Sequence, residues 1–103
     1  DEIDETVKII KKNKTPLALM HCISAYPCPY EIMNLDFIRY LSKKYKIPVI
    51  EDCAQSIMSK FKDKMSGGWG DVGCFSAHPL KNLNALGDAG YLTTNNKNIY
   101  DYI

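Results

Sequence analysis

Two short apolar runs in the second half of the chain break off into chemistry-bearing residues, and this pattern limits what the chain can fold into. Pro48-Val49-Ile50 ends in Glu51-Asp52, and the run from Val72 to Phe75 opens into Ser76-Ala77-His78-Pro79-Leu80-Lys81-Asn82. Short, nearly continuous apolar runs are the mark of strands buried in a parallel sheet. Open α/β sheets place their sites beyond the carboxyl ends of such strands, which is where acid, hydroxyl and lysine fall here.

The segments between the runs have helical spacing. From Glu2 to Asn13, Ile3, Val7 and Ile10 share one face, with acidic residues first and lysines last, as the helix dipole favours. Asn13-Lys14-Thr15-Pro16 stops this helix, and Leu17 to Met20 reads as a buried strand. The Pro- and Tyr-rich stretch from His21 to Tyr30 reads as a packed loop leaving that strand. From Asn34, Phe37, Ile38, Leu41 and Tyr45 form the apolar face of a second helix, with Asn34 or Asp36 as its cap. The alternation from Glu2 to Asp52 therefore predicts a right-handed βαβ crossover with parallel strands and a sheet buried on both faces. Further on, Met58, Phe61 and Met65 suggest a short helix followed by an extended piece, with Lys60 to Lys64 as an exposed turn. Gly67-Gly68-Trp69-Gly70 breaks the chain, with Trp69 as a packing residue. Val72 to Phe75 is a third strand, Lys81 to Gly87 a loop, Tyr91 to Thr94 a fourth strand, and Asn96 to Ile103 the start of a helix.

Composition excludes some functions. Thirteen basic residues against twelve acidic ones leave a formal charge of +1 without any block of like charge, so no nucleic-acid footprint is present. No apolar run approaches the roughly 18 residues of a membrane span, and the acidic start is unlike a signal peptide, so a cytoplasmic location is expected. Cys22, Cys28, Cys53 and Cys74 form no CxxC pair, and reduced thiols, buried at Cys53 and Cys74, are expected in place of disulfides or a metal site.

The second half has the parts that pyridoxal phosphate requires of a protein: an amine, a carboxylate for the pyridine nitrogen and donors for the phosphate. Asp52, at a strand end, can keep the ring nitrogen protonated through a charge-assisted hydrogen bond. A partly desolvated Lys81 beside a cationic ring is a better nucleophile, and Ser76 with nearby backbone N–H groups can meet the phosphate. Gln55 would reach the same pocket from the turn after the strand.

The whole string is more specific than the spacing. Glu51-Asp52-Cys53-Ala54-Gln55, Gly70-Asp71-Val72-Gly73-Cys74-Phe75-Ser76, His78-Pro79-Leu80-Lys81-Asn82-Leu83 and Gly87-Asp88 before Gly90-Tyr91-Leu92-Thr93-Thr94-Asn95 resemble the DegT/DnrJ/EryC1/StrS sugar aminotransferases. The resemblance covers residues 36–103. It implies an α/β fold, a three-layer, mostly parallel sheet with flanking helices forming part of a fold-type I large domain. It also implies pyridoxal 5'-phosphate as cofactor, a nucleotide-linked keto-sugar as substrate, glutamate or a similar amino donor, and a homodimer in the full-length family. By position, Lys81 is the Schiff-base lysine, Asp52 the partner of the pyridine nitrogen, Gln55 a neighbour of the ring hydroxyl, Ser76 a phosphate ligand and His78 a supporting residue. Ala89 stands where many relatives have glycine.

Residues 1–35 follow another pattern. Leu17 to Leu35, LALMHCISAYPCPYEIMNL, resembles the N-acetylneuraminate synthase family, whose (β/α)8 barrel condenses phosphoenolpyruvate with an amino sugar. That resemblance implies Ser24 and Tyr26 as substrate-contacting residues. The chain thus reads as a single α/β domain made of two pieces, 1–35 and 36–103, joined as a chimera or fragment and catalytically incomplete at this length. A synthase-like fragment and a non-enzymatic α/β fusion product are the alternatives.

Overall fold

The computed structural model describes residues 1–103. The chain divides into two compact units, Asp1–Leu35 and Asp36–Ile103.

The first unit opens with α1 (Glu2–Lys12), capped by Asp1, whose carboxylate accepts the Asp4 N–H. Glu2, Asp4 and Glu5 occupy its first turn and Lys11 and Lys12 its last. Val7 on the expected apolar face is buried. The anticipated strand at Leu17–Met20 does not form: the stretch has no ladder partner, and no residue of it enters the sheet. A strand without a neighbour leaves its N–H and C=O groups to water, so the βαβ crossover is absent as well. The His21–Tyr30 loop packs only in part: His21, Ile23 and Cys28 are half-buried, but the rest is exposed, with Tyr26 97 % accessible. A 3₁₀ turn at Tyr30–Ile32 closes the unit, and the His21 ring bonds the Met33 carbonyl at 2.7 Å.

The second unit begins with α2 (Asp36–Tyr45), whose Phe37, Ile38, Leu41 and Tyr45 are half-buried while Arg39, Lys43 and Lys44 are exposed. Its end is closed by a pair of bonds across one turn, Ile47 N–H to the Ser42 carbonyl and the Ser42 hydroxyl to the Ile47 carbonyl. The central sheet then follows: β1 (Ile50–Asp52), β4 (Val72–Ser76) and β5 (Gly90–Thr93), in the order β1-β4-β5. β1 runs parallel to β4, with Asp52 opposite Cys74, and β5 antiparallel to it, with Ser76 opposite Gly90. The sheet is mixed, one parallel pair and one antiparallel pair.

Between β1 and β4 lies a hairpin of β2 (Lys60–Phe61) and β3 (Lys64–Met65). It replaces the helix expected there. Met58 and Lys62 adopt left-handed backbone, φ +63° and +53°, which no α-helix accommodates. The helix α3 (Lys97–Tyr102) is capped by Asn96, whose side chain accepts the Asn98 N–H.

Register assigns residues to faces, because neighbours across a ladder point the same way and successive residues opposite ways. Glu51, Gly73, Phe75, Tyr91 and Thr93 share one face; Ile50, Asp52, Val72, Cys74, Ser76 and Leu92 share the other. The first is covered by the Gly67–Gly70 loop. Gly67 (φ +79°) and Gly73 approach so closely that a Cβ on Gly73 would lie 2.4 Å from the Gly67 Cα. The second is open in place of the expected double burial: Ile50 is 67 % and Leu92 49 % exposed. Cys53 is the buried apolar side chain of this unit; Cys74 is half-buried, and all four cysteines are free thiols.

Candidate functional site

Asp52 is the last residue of β1 and Ser76 the last of β4. Because the two strands are parallel and their partners fall on one face, both side chains lie on the open face at its carboxyl end. One Asp52 oxygen accepts the Ala54 N–H at 3.1 Å in a local turn, and no partner engages its second oxygen. The carboxylate is exposed. Ser76 is half-buried, and its Oγ accepts the His78 N–H at 3.3 Å. A hydroxyl that accepts from the backbone keeps its own proton for another acceptor.

The loop from Ala77 to Ala89 carries Lys81 and is stitched to the end of β4. Ala77 N–H bonds the Ala89 carbonyl, Ala85 N–H the Ala77 carbonyl, and Lys81 N–H the His78 carbonyl at 2.8 Å. The imidazole Nδ1 of His78 accepts the Leu80 N–H, and the Asn84 amide reaches the Pro79 carbonyl. His78 therefore shapes the turn that presents Lys81, while its Nε2 lies 3.6 Å from Asp88. Lys81 is half-buried, with no carboxylate in ion-pair contact. Gln55 is exposed on the turn after Asp52, where Ser56 N–H bonds the Cys53 carbonyl.

Thus Asp52 and Ser76 share a face and an end of the sheet, and Ser76 is joined through His78 to the Lys81 turn. Gln55 shares only the turn that follows Asp52. Ser24 and Tyr26 lie in the first unit, both exposed. A concavity of about 420 Å³ lined by Gly70, Asp71, Asn95, Asn96 and Lys97 sits at the opposite end of the sheet, before β4 and after β5.

Sequence reasoning passed over Glu51. Its carboxylate accepts the N–H groups of Gly67 at 2.9 Å and of Trp69 and Gly70 at 2.5 Å each, on the covered face directly behind Asp52. The sequence carries no local signal for this, because the partners are backbone amides 16 to 19 residues away. Burial, then the charges of Glu51 and Asp52 and the neighbouring Cys74, push the Cys53 thiol above its usual range, while a hydrogen bond with Ser56 pulls the other way. Cys53 is accordingly a poor nucleophile.

The profile of the DegT/DnrJ/EryC1/StrS aminotransferase family matches residues 31–103. The chain belongs to this family. The stretch covers Asp52, Gln55, Ser76, His78 and Lys81, and the NeuB family profile matches residues 1–50, so the boundary between the two units lies inside the overlap. Among curated relatives, a UDP-N-acetyl-3-dehydro-alpha-D-glucosamine 3-aminotransferase of Acidithiobacillus ferrooxidans is 47 % identical over 57 residues, 55 % of this chain and 15 % of that protein. The GDP-perosamine synthase of Escherichia coli is 35 % identical over 89 residues, 86 % of this chain and 23 % of the relative. Solved aminotransferases from Psychrobacter cryohalolentis and Brucella abortus superpose with TM-scores of 0.58 and 0.59 at 33 % and 36 % identity. Each is matched over 64 % of this chain and over 17 % and 18 % of the solved chains. The chain therefore spans less than a quarter of the length of these relatives. No helix is long and apolar enough to cross a membrane.

Proposed function

We propose that this chain carries the cofactor-lysine region of a pyridoxal-phosphate aminotransferase acting on nucleotide-linked keto-sugars, in the making of surface polysaccharides or nonulosonic acids. The observation that carries the reading is the shared position of Asp52 and Ser76 at the carboxyl end of one sheet face, with the Lys81 turn bonded to Ser76. The relatives' names supply the substrate class, a nucleoside-diphosphate sugar, and glutamate is the proposed amino donor.

The donor set suits the cofactor. Asp52 offers an unpartnered acidic oxygen to a protonated pyridine nitrogen, and Ser76 an uncommitted O–H to a phosphate. Lys81 supplies a primary amine on a turn fixed by three backbone bonds, and His78 holds that turn in shape. Gln55 is assigned to the ring hydroxyl. When bound, the cofactor supplies the electron-accepting ring that lets an amino group pass to a keto carbon. Lys81 would hold the cofactor through its amine, and its free Nζ would take up and return the substrate proton. Asp52 would hold the ring nitrogen in its cationic form through a charge-assisted hydrogen bond. The remaining walls of such a site lie in the parts of the relatives that this chain does not span. The 103 residues alone are therefore proposed to bind the cofactor weakly and not to turn over.

The test is a titration of the chain with pyridoxal phosphate followed by visible absorbance. A saturable band is expected, absent in Lys81→Ala and weakened in Asp52→Asn. An equal band in Lys81→Ala would refute the reading.

A further inference from the structure

Glu51 points away from the site, yet it makes more hydrogen bonds to the backbone than any residue assigned to it. Its two carboxylate oxygens take three N–H groups of the Gly67–Gly70 loop, and the Cys53 Sγ lies 3.9 Å from Oε2. Charge-assisted bonds of this kind are the strong ones, and this set crosses from the last turn of β1 to the segment that leads into β4. The same loop is fixed to β5, because the Thr93 hydroxyl donates to the Gly67 carbonyl at 2.9 Å. It is also fixed to β4, since Gly67 leaves no room for a Cβ beside Phe75 and Gly73 leaves none beside Gly67. Three strands thus meet on one loop, and Glu51 is the tie from β1.

β1 needs such a tie. It is three residues long and lies at the edge of the sheet, with β4 as its one neighbour. Asp52 is its last residue, where fraying begins. Beyond it the chain is held by Cys53 N–H on the Cys74 carbonyl at 2.8 Å, and before it by Val49 N–H on the Asp71 carboxylate. Neither bond holds a side chain of β1 itself.

We propose that Glu51 is a positioning residue for Asp52. Its carboxylate, clamped by the Gly67, Trp69 and Gly70 amides, fixes the end of β1 so that Asp52, paired with Cys74, projects from the opposite face, the one that also carries Ser76. Adjacent strand residues point to opposite faces, so a clamp on one sets the direction of the other without touching the ligand. The inference rests on the proposed cofactor reading, and the test separates the two.

Glu51→Gln keeps the length of the side chain but removes its charge and turns an NH2 group towards N–H donors. Glu51→Asp keeps the charge and shortens the reach. Asp71→Asn loosens the other end of β1 while leaving the Glu51 bonds in place. The first readout is amide hydrogen exchange without cofactor: Gly67, Trp69 and Gly70 are expected to exchange at least about tenfold faster in Glu51→Gln, the equivalent of one order in an opening equilibrium. The second is the midpoint of the pyridoxal-phosphate absorbance titration. It is expected to rise about tenfold or more in Glu51→Gln and less in Glu51→Asp, and to stay within about threefold of the parent in Asp71→Asn. A parent chain that gives no saturable band overturns the cofactor reading and the positioning role with it. A band equal in parent and Glu51→Gln overturns the positioning role alone, as does an equal loss in Asp71→Asn, which would mean general loosening. If Glu51→Gln has lost its circular-dichroism signature, Glu51→Asp decides by the same criteria.

Discussion

The closest backbone approach in the sheet gives a prediction whose size can be worked from geometry. In Gly73→Ala the new methyl would lie 2.4 Å from the Gly67 Cα, 2.8 Å from the Gly67 carbonyl oxygen and 2.6 Å from the Thr93 hydroxyl. Thr93 could rotate, but the other two are backbone, and Gly67 is held by Glu51 and Thr93. Overpacking costs about 1–3 kcal/mol, and a methyl forced against fixed backbone belongs at the upper end, about 3 kcal/mol. With a urea slope of about 1–3 kcal/mol/M, the unfolding midpoint should fall by about 1–3 M. Gly87→Ala is the matched control: a Cβ placed there would meet nothing within 4 Å, so a change under about 0.5 kcal/mol is expected. Urea unfolding would be followed by circular dichroism and by the fluorescence of Trp69, the single tryptophan, which sits on the loop in question. If Gly73→Ala unfolded within about 0.5 kcal/mol of the parent, the packing of the Gly67 loop on the sheet would be wrong, and with it the geometry behind Glu51.

Other outcomes follow from single contacts. Thr94→Val removes the hydroxyl that donates to the Asp71 carbonyl and accepts the Asn96 N–H, and should destabilise by about 1–3 kcal/mol in the same unfolding assay. Asn96→Ala removes the cap of α3 and should cost about 1 kcal/mol, read as lost helical circular dichroism and faster amide exchange at Asn98. Cys53 has a folded-state thiol pKa above its unfolded value, so its contribution is fully present below the ordinary thiol range and is lost as pH rises into and through it. Stability measured across that range should fall less in Cys53→Ala than in the parent, and at mildly alkaline pH exposed Cys22 should be alkylated before Cys53.

The elements legible in the sequence were those with a strong local signal. α1 and α2 came from apolar residues at helical spacing with matching terminal charges, and β4 from a continuous apolar run. The failures have physical causes. Leu17–Met20 has the composition of a strand, but a strand exists only when another supplies its ladder, which no local pattern reports. The β2–β3 hairpin turns through Lys62-Asp63 in place of the Asn-Gly or Asp-Gly pairs that announce such turns, so its alternating lysines passed for a solvated bend. The expected two-sided burial of the sheet failed: the face that carries Asp52 and Ser76 is open, and on the other Tyr91 remains 38 % exposed beside the Gly67–Gly70 loop.

The candidate site was legible in another way. Position along the string singled out Asp52, Ser76 and Lys81, and the register then put the first two on one face. Glu51 was not legible, because a carboxylate next to Asp52 at a strand end looks like a second solvated acid. Its partners are backbone amides 16 to 19 residues away, which sequence does not display.

The proposed function rests on one amine among many lysines. Borohydride reduction of the chain with limiting pyridoxal phosphate, followed by peptide mass mapping, tests it directly. The phosphopyridoxyl group is expected to be concentrated on Lys81, and this preference to disappear in Asp52→Asn. Label spread over Lys8, Lys43, Lys62 and the other exposed lysines, with Lys81 no more modified than they are, would contradict it.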